Sequence, residues 1–163
     1  MELADAQRVA KDLVRELALF CDRIEVAGSI RRRRPFVNDI DLVLIPKNQG
    51  LLDTKLRELG CRFGGPKLRR LVYPHPRTER SPQGAQVDIY IATPETWAVL
   101  LLIRTGSTRH NVRLCTRARA LGLQLKADGQ GLVDDLGNRV AGDTEASIFD
   151  VLGLPYREPW ERE

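Results

Sequence analysis

The chain has 163 residues and a formal net charge of +4, with 42% hydrophobic and 29% charged residues. This composition excludes an intrinsically disordered chain and suffices for one compact unit or two small ones. The longest apolar run, Trp97 to Ile103, is too short to cross a bilayer, and the N-terminus lacks the pattern of a signal peptide. We therefore expect a cytoplasmic protein that is neither secreted nor attached to a membrane.

The first half of the chain alternates helical and strand-like patterns. Helices are predicted at residues 2–20 and 51–59, and strands at 23–27, 39–45, 67–73 and 86–92. The strand at 39–45 is apolar on both faces, as in the centre of a covered sheet. A Pro-rich loop at 74–84 joins the last two strands. This order predicts a mixed β-sheet with helices packed against it.

The second half begins with a helix that Pro94 opens and that runs to about Arg104. The segment Thr105-Gly106-Ser107 separates it from the next helix, which ends near Leu121. Small antiparallel strands are predicted within residues 123–140 and a last helix at 144–152. We expect an α+β fold with two domains, residues 1–92 and 93–163.

Basic residues are clustered rather than spread along the chain. Arg31 to Arg34 is unbroken, Lys67 to Arg80 has one acid among its basic residues, and Arg104 to Arg119 has none. Such clusters favour a polyanionic partner such as nucleic acid. The alternative is an arginine-rich, solvated surface without a binding role.

Three aspartates stand in otherwise apolar strands. Asp39 and Asp41 are two positions apart, so their carboxylates point to one face of a strand, about 7 Å apart. Asp88 lies in the apolar segment Val87-Asp88-Ile89. Buried acids without a partner are costly, and oxygen ligands with room for water and phosphate favour Mg²⁺. If Asp88 is on a neighbouring strand, the three can hold two Mg²⁺ ions, or Mn²⁺ in their place, about 3.5–4 Å apart.

A glycine and a serine directly follow the first predicted strand. Gly28 permits a sharp turn and a close backbone approach. Ser29 then begins a helical segment whose free N–H groups can face a phosphate. Arg31 and Arg32 follow and can neutralise a triphosphate.

Taken in order, these motifs resemble the nucleotidyltransferase core of the polymerase beta superfamily. The downstream half is similar to family X DNA polymerases in particular. The segments that carry this second similarity are Thr105-Gly106-Ser107 with Asn111, Ser147-Ile148-Phe149-Asp150 and Tyr156-Arg157-Glu158-Pro159. The resemblance implies a nucleotidyltransferase palm followed by a small C-terminal α/β subdomain. It covers nearly the whole chain, so we expect a minimal member without the lyase domain.

The resemblance also implies a role for each matched residue. Asp39 and Asp41 would bind both metals, and Asp88 would bind the catalytic metal and help to activate the primer 3′-OH. The implied nucleotide-binding residues are Gly28, Ser29, Arg32, Asn38, Thr105, Gly106, Ser107 and Asn111.

Within this implied nucleotide site, Ser29 and Arg32 would hold the β- and γ-phosphates. Gly106 and Ser107 would lie against the incoming sugar and base. Asn111 would reach the minor-groove edge of the base.

DNA contacts are expected from the basic clusters. Arg109, Arg113 and Arg117 recur every four residues and share one helix face, which we interpret as contacting DNA phosphates. A solvated helix face is the alternative. The loop residues His75, Arg77 and Arg80 can touch template or primer, or be ordinary exposed residues.

The sequence predicts a monomeric DNA-directed DNA polymerase of repair type, which adds dNMP from dNTP to primer–template or gapped DNA with low processivity. A second hypothesis keeps the catalytic core but transfers nucleotides to RNA, a protein or a small molecule. A third is a nucleic-acid-binding module with an inactive site, against which the three intact aspartates argue.

Overall fold

The computed structural model describes residues 1–61, 63–74 and 84–163. The chain divides into two compact units, Met1–Ile91 and Ala92–Glu163. This division lies one residue before the boundary expected from the sequence, while the role of each unit stays a prediction. None of the helices in the described ranges has the length and apolar character needed to span a membrane.

In its described residues, the first unit contains three α-helices and five strands. The helices are α1 (Leu3–Leu17), α2 (Gly28–Arg31) and α3 (Gln49–Glu58). The strands are β1 (Cys21–Val26), β2 (Ile40–Pro46), β3 (Phe63–Gly65), β4 (Leu68–Tyr73) and β5 (Ala85–Ile91). The predicted elements are all present, and β3 is additional. Its three residues include two glycines, so it carries no alternating apolar signal.

The five strands form one mixed sheet in the order β1-β2-β5-β4-β3. Strands β2 and β5 run parallel, and the other neighbours pair antiparallel. Ile40, Leu42, Val43 and Leu44 of β2 are all fully buried. The strand that is apolar on both faces is therefore interior to the sheet, and the predicted mixed sheet is confirmed.

Helices α1 and α3 supply apolar side chains to the core of this unit. Leu13 and Leu17 of α1 join Leu52 and Leu56 of α3 in one cluster with buried strand residues. Asn48 begins α3 by accepting a hydrogen bond from the Leu51 backbone N–H at 3.1 Å. Such a cap stabilises a helix by about 1 kcal/mol.

The second unit combines helices with a small antiparallel sheet. Its helices are α4 (Trp97–Thr105), α5 (Thr108–Ala120) and α6 (Glu145–Leu152), with a 3-10 turn at Pro159–Glu161. Its strands, in sheet order, are β6 (Gln124–Lys126), β7 (Gly131–Val133) and β8 (Arg139–Ala141). These agree with the predicted helices and small strands.

The core of the second unit gathers side chains from all three of its helices. Leu102 of α4, Leu114 of α5 and Phe149 of α6 are nearly or fully buried in one cluster. Thr144 and Ser147 form a reciprocal capping box at the start of α6. Gly153 ends α6 in the left-handed conformation, with φ 63°.

The segment after α6 is anchored by a buried arginine. Arg162 has no exposed surface, and its guanidinium donates to Glu145 Oε2 at 2.7 Å and to the Arg157 carbonyl at 2.9 Å. The same guanidinium lies 5.7 Å from the ring centre of Phe149 and 5.6 Å from that of Tyr156. These contacts offset part of the cost of burying its charge, since Arg162 Nη1 is buried without a hydrogen-bond partner in the described residues.

Candidate active site

Asp41 and Asp88 are direct partners across the parallel pairing of β2 and β5. Directly paired residues of neighbouring strands point to the same face of a sheet. Asp88 is 4% exposed, and Asp41 is half-buried. Two carboxylates from sequence-distant segments thus occupy adjacent positions on one face, as expected if Asp88 is on a neighbouring strand.

The turn after β1 is fitted closely around Asp41. The Ala27 N–H donates to the Asp41 carbonyl at 2.8 Å, and Gly28 then takes a φ of 57°. A Cβ atom at position 28 would lie 2.0 Å from Asp41 Oδ2. Position 28 therefore requires glycine for two reasons. The backbone is left-handed there, and the Asp41 carboxylate fills the space that a side chain would occupy.

Asp39 precedes β2 by one residue and is half-buried. Its charge and that of Asp41 act on Arg32, at the end of α2. Burial and the nearby Arg34 lower the pKa of the Arg32 guanidinium, while Asp41 and Asp39 raise it. Arg32 therefore belongs to the electrostatic surroundings of both aspartates. Asn38, the residue before Asp39, is exposed.

Ser29 lies in the short helix α2, immediately after the glycine that contacts Asp41. Its Oγ is buried and makes no hydrogen bond within the described residues. A buried hydroxyl without a partner is costly, which favours a bound group that supplies one.

The structure adds one residue that the sequence interpretation missed. Arg70 of β4 pairs with Asp88 in the antiparallel register of β4 and β5. Its Nε and Nη2 atoms donate to the two carboxylate oxygens of Asp88 at 2.6 and 2.7 Å. This bidentate bond and the carboxylate charge raise the pKa of Arg70. From the sequence, Arg70 was one member of a basic cluster assigned to a polyanionic partner.

The three aspartates are suitable ligands for a hard divalent cation, although Arg70 now neutralises Asp88. Asp41 and Asp88 lie on one face, and Asp39 stands two positions before Asp41. In the described ranges, no three His, Cys, Asp or Glu side chains are grouped closely enough to hold a metal. The three-aspartate metal site stays a prediction, and it requires Arg70 to release Asp88. Arg70 has an exposed side chain, so such a movement meets little packing resistance.

The predicted nucleotide-binding residues of the second unit extend from the last residue of α4 to the first turn of α5. Thr105 ends α4 and is fully buried. Gly106 has a φ of 68°, and its peptide bond to Ser107 is cis. Ser107 caps α5, because its Oγ accepts the His110 backbone N–H at 3.2 Å. The Ser107 hydroxyl thus also has a structural role that the sequence had not indicated.

Asn111 is fixed by a contact to the preceding helix. Its Nδ2 donates to the Ile103 carbonyl at 2.8 Å. Its Oδ1 is buried and lacks a hydrogen-bond partner in the described part of the chain. The Nδ2 atom therefore orients the amide, which also acts on the neighbouring His110 and partly opposes the lowering of the pKa of that imidazole.

The arginines of the predicted DNA-binding stripe are not equivalent. Arg109, Arg113 and Arg117 are all exposed on α5. Arg117 also donates from Nε to the Leu152 carbonyl at 2.9 Å, which ties α5 to the last residue of α6. His75, Arg77 and Arg80, the proposed loop contacts, lie outside the described residues.

Comparison with known proteins gives matches in both halves. The family described as DNA polymerase beta thumb matches residues 100–163. DNA polymerase lambda of Rattus norvegicus is 32% identical over 87 residues, which is 48% of this chain and 15% of that protein. DNA nucleotidylexotransferase of Xenopus laevis is 32% identical over 96 residues, covering 58% of this chain and 19% of the relative.

A third relative matches over almost the whole chain. The DNA polymerase/3′-5′ exonuclease PolX of Bacillus subtilis (strain 168) is 26% identical over 165 residues, or 97% of this chain and 28% of that protein. The chain thus spans less than a third of the length of each of these curated relatives.

Solved structures of Leishmania infantum polymerase beta show the same fold. A ternary P/T complex matches with a TM-score of 0.82 and 22% identity, covering all of this chain and 76% of the other. A ternary gap complex matches with a TM-score of 0.83 and 22% identity, covering all of this chain and 70% of the other. The chain thus has the fold of these polymerase beta structures, and it is similar in sequence to DNA polymerase lambda, DNA nucleotidylexotransferase and the polymerase beta thumb family.

Proposed function

We propose that the chain is a metal-dependent nucleotidyltransferase that adds dNMP from dNTP to the 3′-OH of a DNA primer. The observation that carries this proposal is the pairing of Asp41 with Asp88 on one face of the sheet, beside the Gly28 turn. The relatives named DNA polymerase and DNA nucleotidylexotransferase support the reaction class.

The aspartates would hold the metal ions. Asp39 and Asp41 would bind both Mg²⁺ ions, and Asp88 would join them at the catalytic ion once Arg70 has moved. When bound, two such ions stabilise the charge on the attacking and leaving oxygens and lower the pKa of the attacking hydroxyl. The rigid interior strands β2 and β5 fix Asp41 and Asp88, which reduces the reorganisation that the reaction requires.

The phosphates of the nucleotide would be bound beside the aspartates. The buried Ser29 hydroxyl gains a hydrogen-bond partner when it donates to a phosphate oxygen. Arg32 carries a positive charge near Asp39 and Asp41 and would neutralise part of the triphosphate. Asn38 is exposed and would contact the nucleotide from the segment before Asp39.

The second unit would contact the sugar and base of the nucleotide. Gly106 has no side chain, so a sugar can approach the backbone closely at this position. Ser107 and Thr105 would define the edges of this surface. Asn111, which is oriented by Ile103, would place its unpartnered Oδ1 toward the minor-groove edge of the base.

The DNA substrate would be primer–template or gapped DNA. The two matching polymerase beta structures are a ternary P/T complex and a ternary gap complex, which supports this choice. Arg109 and Arg113 are exposed and would contact DNA phosphates, while Arg117 has fewer donors left because of Leu152. Repair-type gap filling by a cytoplasmic monomer is the biological setting that we propose.

Untemplated addition is a second candidate for the reaction. The observation that favours it is the relative named DNA nucleotidylexotransferase, which matches 58% of this chain. Transfer to RNA, a protein or a small molecule is disfavoured because the polymerase beta thumb family matches residues 100–163.

The test offers labelled primer, primer–template and one-nucleotide-gapped DNA with each dNTP or rNTP, with and without Mg²⁺. Magnesium-dependent addition directed by the template base is expected. Addition to single-stranded primer regardless of template would establish the second candidate instead. Labelling of RNA or protein with no DNA product would reject both.

The role of Asp88 is tested by Asp88→Ala, with Asp53→Ala as the matched control. Asp53 also pairs with an arginine of β4, because Arg69 Nη2 lies 2.8 Å from its Oδ1. Asp88→Ala should reduce addition on the order of a hundredfold or more while largely sparing dNTP binding. Asp53→Ala should leave addition close to wild type. Retained turnover in Asp88→Ala would reject the assigned role.

A further inference from the structure

A cavity of about 160 Å³ lies within the second unit, and two of the residues that line it, Arg113 and Arg117, also belong to the predicted DNA-binding stripe. Its walls come from α5, from α6 and from the segment that follows α6. Three arginines, Arg113, Arg117 and Arg157, line it together with His110 and Phe149. The cavity therefore combines an apolar wall with an unusual concentration of positive charge.

These three guanidinium groups have no carboxylate partner among the residues that the structure describes. Arg117 donates one hydrogen bond to the Leu152 carbonyl, which fixes its position but does not neutralise its charge. Arg162 differs, because Glu145 pairs with it at 2.7 Å. The cavity thus keeps three uncompensated positive charges, which a bound anion would neutralise.

His110 provides a second, independent indication of a ligand. It is 3% exposed and lines the cavity, yet neither ring nitrogen makes a hydrogen bond of normal geometry within the described residues. Buried polar atoms without partners are rare in folded proteins and point to a missing group. Its ring centre lies 5.7 Å from that of Phe149, which fixes one side of the imidazole.

The charges around His110 are mainly positive. Burial, followed by Arg162, Arg157 and Arg113, lowers the pKa of His110 to about 4, while Asn111 opposes this shift in part. The imidazole is therefore neutral near pH 7 and presents one N–H donor and one acceptor. An anion in the cavity would favour the protonated ring.

We propose that this cavity binds a phosphate group, held by Arg113, Arg117 and Arg157 with a hydrogen bond from His110. Guanidinium groups present paired donors that match the oxygens of a phosphate. A phosphate has enough acceptor oxygens to engage several donors at once. One water occupies about 30 Å³ of liquid volume, so the cavity accommodates a phosphate with a few waters.

The residues that line this cavity do not include Ser29 or Arg32, which are predicted to bind the triphosphate of the nucleotide. Arg113 and Arg117 are shared with the predicted DNA-binding stripe, while His110 and Arg157 are additional. The inference does not depend on nucleotide transfer, and its test uses binding rather than activity.

The test follows the two histidines of the chain by NMR while inorganic phosphate is added at constant ionic strength, with chloride as the balancing anion. The variant His75→Gln assigns the His110 resonances. Phosphate should shift the His110 ring signals saturably and raise the pKa of His110. A linear, non-saturating response would overturn the proposal.

Variants distinguish a specific phosphate-binding site from nonspecific electrostatic attraction of the anion to the protein. Arg157→Gln and Arg113→Gln should each weaken phosphate binding by about tenfold or more, as expected for a charged hydrogen bond. Arg119→Gln is the matched control, because Arg119 is an exposed arginine of the same helix that does not line the cavity. It should change the affinity by about twofold or less. Equal weakening in all three variants would overturn the proposal.

Folding of each variant is checked by circular dichroism, and Arg157→Lys provides a milder change. Lysine keeps the charge but loses the planar pair of donors, so intermediate affinity is expected. Affinity equal to that of Arg157→Gln would contradict a role for the positive charge.

Binding experiments with further ligands distinguish two sources of the phosphate group. Inorganic phosphate and pyrophosphate represent a free anion, and a short oligonucleotide with or without a 5′-phosphate represents a DNA end. Tighter binding of the phosphorylated oligonucleotide than of its unphosphorylated form assigns the site to a DNA terminus. Tighter binding of the small anions assigns it to a free phosphate. Failure of all these ligands to shift His110 overturns the proposal.

Discussion

Arg70 binds both carboxylate oxygens of Asp88, so the most buried of the three aspartates is already neutralised by the protein. The arginine side chain is 52% exposed while that of Asp88 is 6% exposed. A cation that approaches Asp88 must therefore replace a partner that can withdraw into solvent. This competition makes Arg70 a candidate positioning residue for metal binding.

Arg70→Ala should increase the affinity for Mn²⁺, measured by electron paramagnetic resonance, on the order of tenfold. The reason is that a ligand binds less tightly when only a small fraction of the protein has its site available. Arg69→Ala is the control, since Arg69 is on the same strand but pairs with Asp53. Unchanged Mn²⁺ affinity in Arg70→Ala would show that the ion pair does not compete with metal.

Gly28→Ala should abolish nucleotide addition and destabilise the first unit. The left-handed backbone alone costs a non-glycine residue about 1–2 kcal/mol. In addition, the new Cβ would lie 2.0 Å from Asp41 Oδ2 and displace that carboxylate. Primer extension and thermal unfolding measure the two effects.

Gly60→Ala separates backbone strain from the contact with Asp41. Gly60 has a φ of 88°, and a Cβ there would meet no atom within 4 Å. This variant should lose stability but keep its specific activity. If both alanine variants lost activity equally, the close fit of Gly28 to Asp41 would not explain the effect.

The stability of the second unit should fall between about pH 6.5 and pH 4 because of His110. Its pKa is lowered from 6.5 to about 4 in the folded state, so the unfolded chain binds the proton more readily. The contribution of His110 to the free energy of unfolding is fully present above the pKa that it has in the unfolded chain. This contribution is lost as pH falls through this window. The loss is on the order of 2–3 kcal/mol.

Urea unfolding at several pH values measures this loss, and His110→Phe should remove most of it. His75→Gln, at the other histidine of the chain, is the control. An unchanged pH slope in His110→Phe would assign the effect to other groups.

Glu145→Gln should destabilise the second unit by about 3–5 kcal/mol, because it leaves the buried charge of Arg162 without its counter-ion. The control is Asp143→Asn, which removes an exposed pair with Arg139. That change should cost about 1 kcal/mol or less. Chemical denaturation compares the two, and equal losses would contradict the distinction between buried and exposed pairs.

The local patterns of the sequence were sufficient for most of the fold. Apolar residues on both faces of residues 39–45 predicted an interior strand, and β2 is one. Helical spacing predicted α1, whose buried face includes Ala6, Val9 and Leu13. Such patterns are strong because burial imposes the period of the element on the sequence.

Contacts set by register or by distant packing were not predictable in this way. Whether Arg70 faces solvent or Asp88 depends on the alignment of β4 with β5, and no local pattern encodes that alignment. Arg117 has the spacing of the DNA-binding stripe, yet its Nε reaches Leu152 because α6 packs beside it. Burial of Arg162 depends on Glu145, which is remote in sequence.

The parallel alignment of β2 with β5 has the largest sequence separation of any strand pairing in the described sheet. Pairings between distant segments require closure of a long loop and generally form late. We therefore expect β1 and β2 to associate early during folding, with Asp41 and Asp88 brought together only at a late step. Any species in which this pairing has not yet formed would keep Asp41 and Asp88 apart.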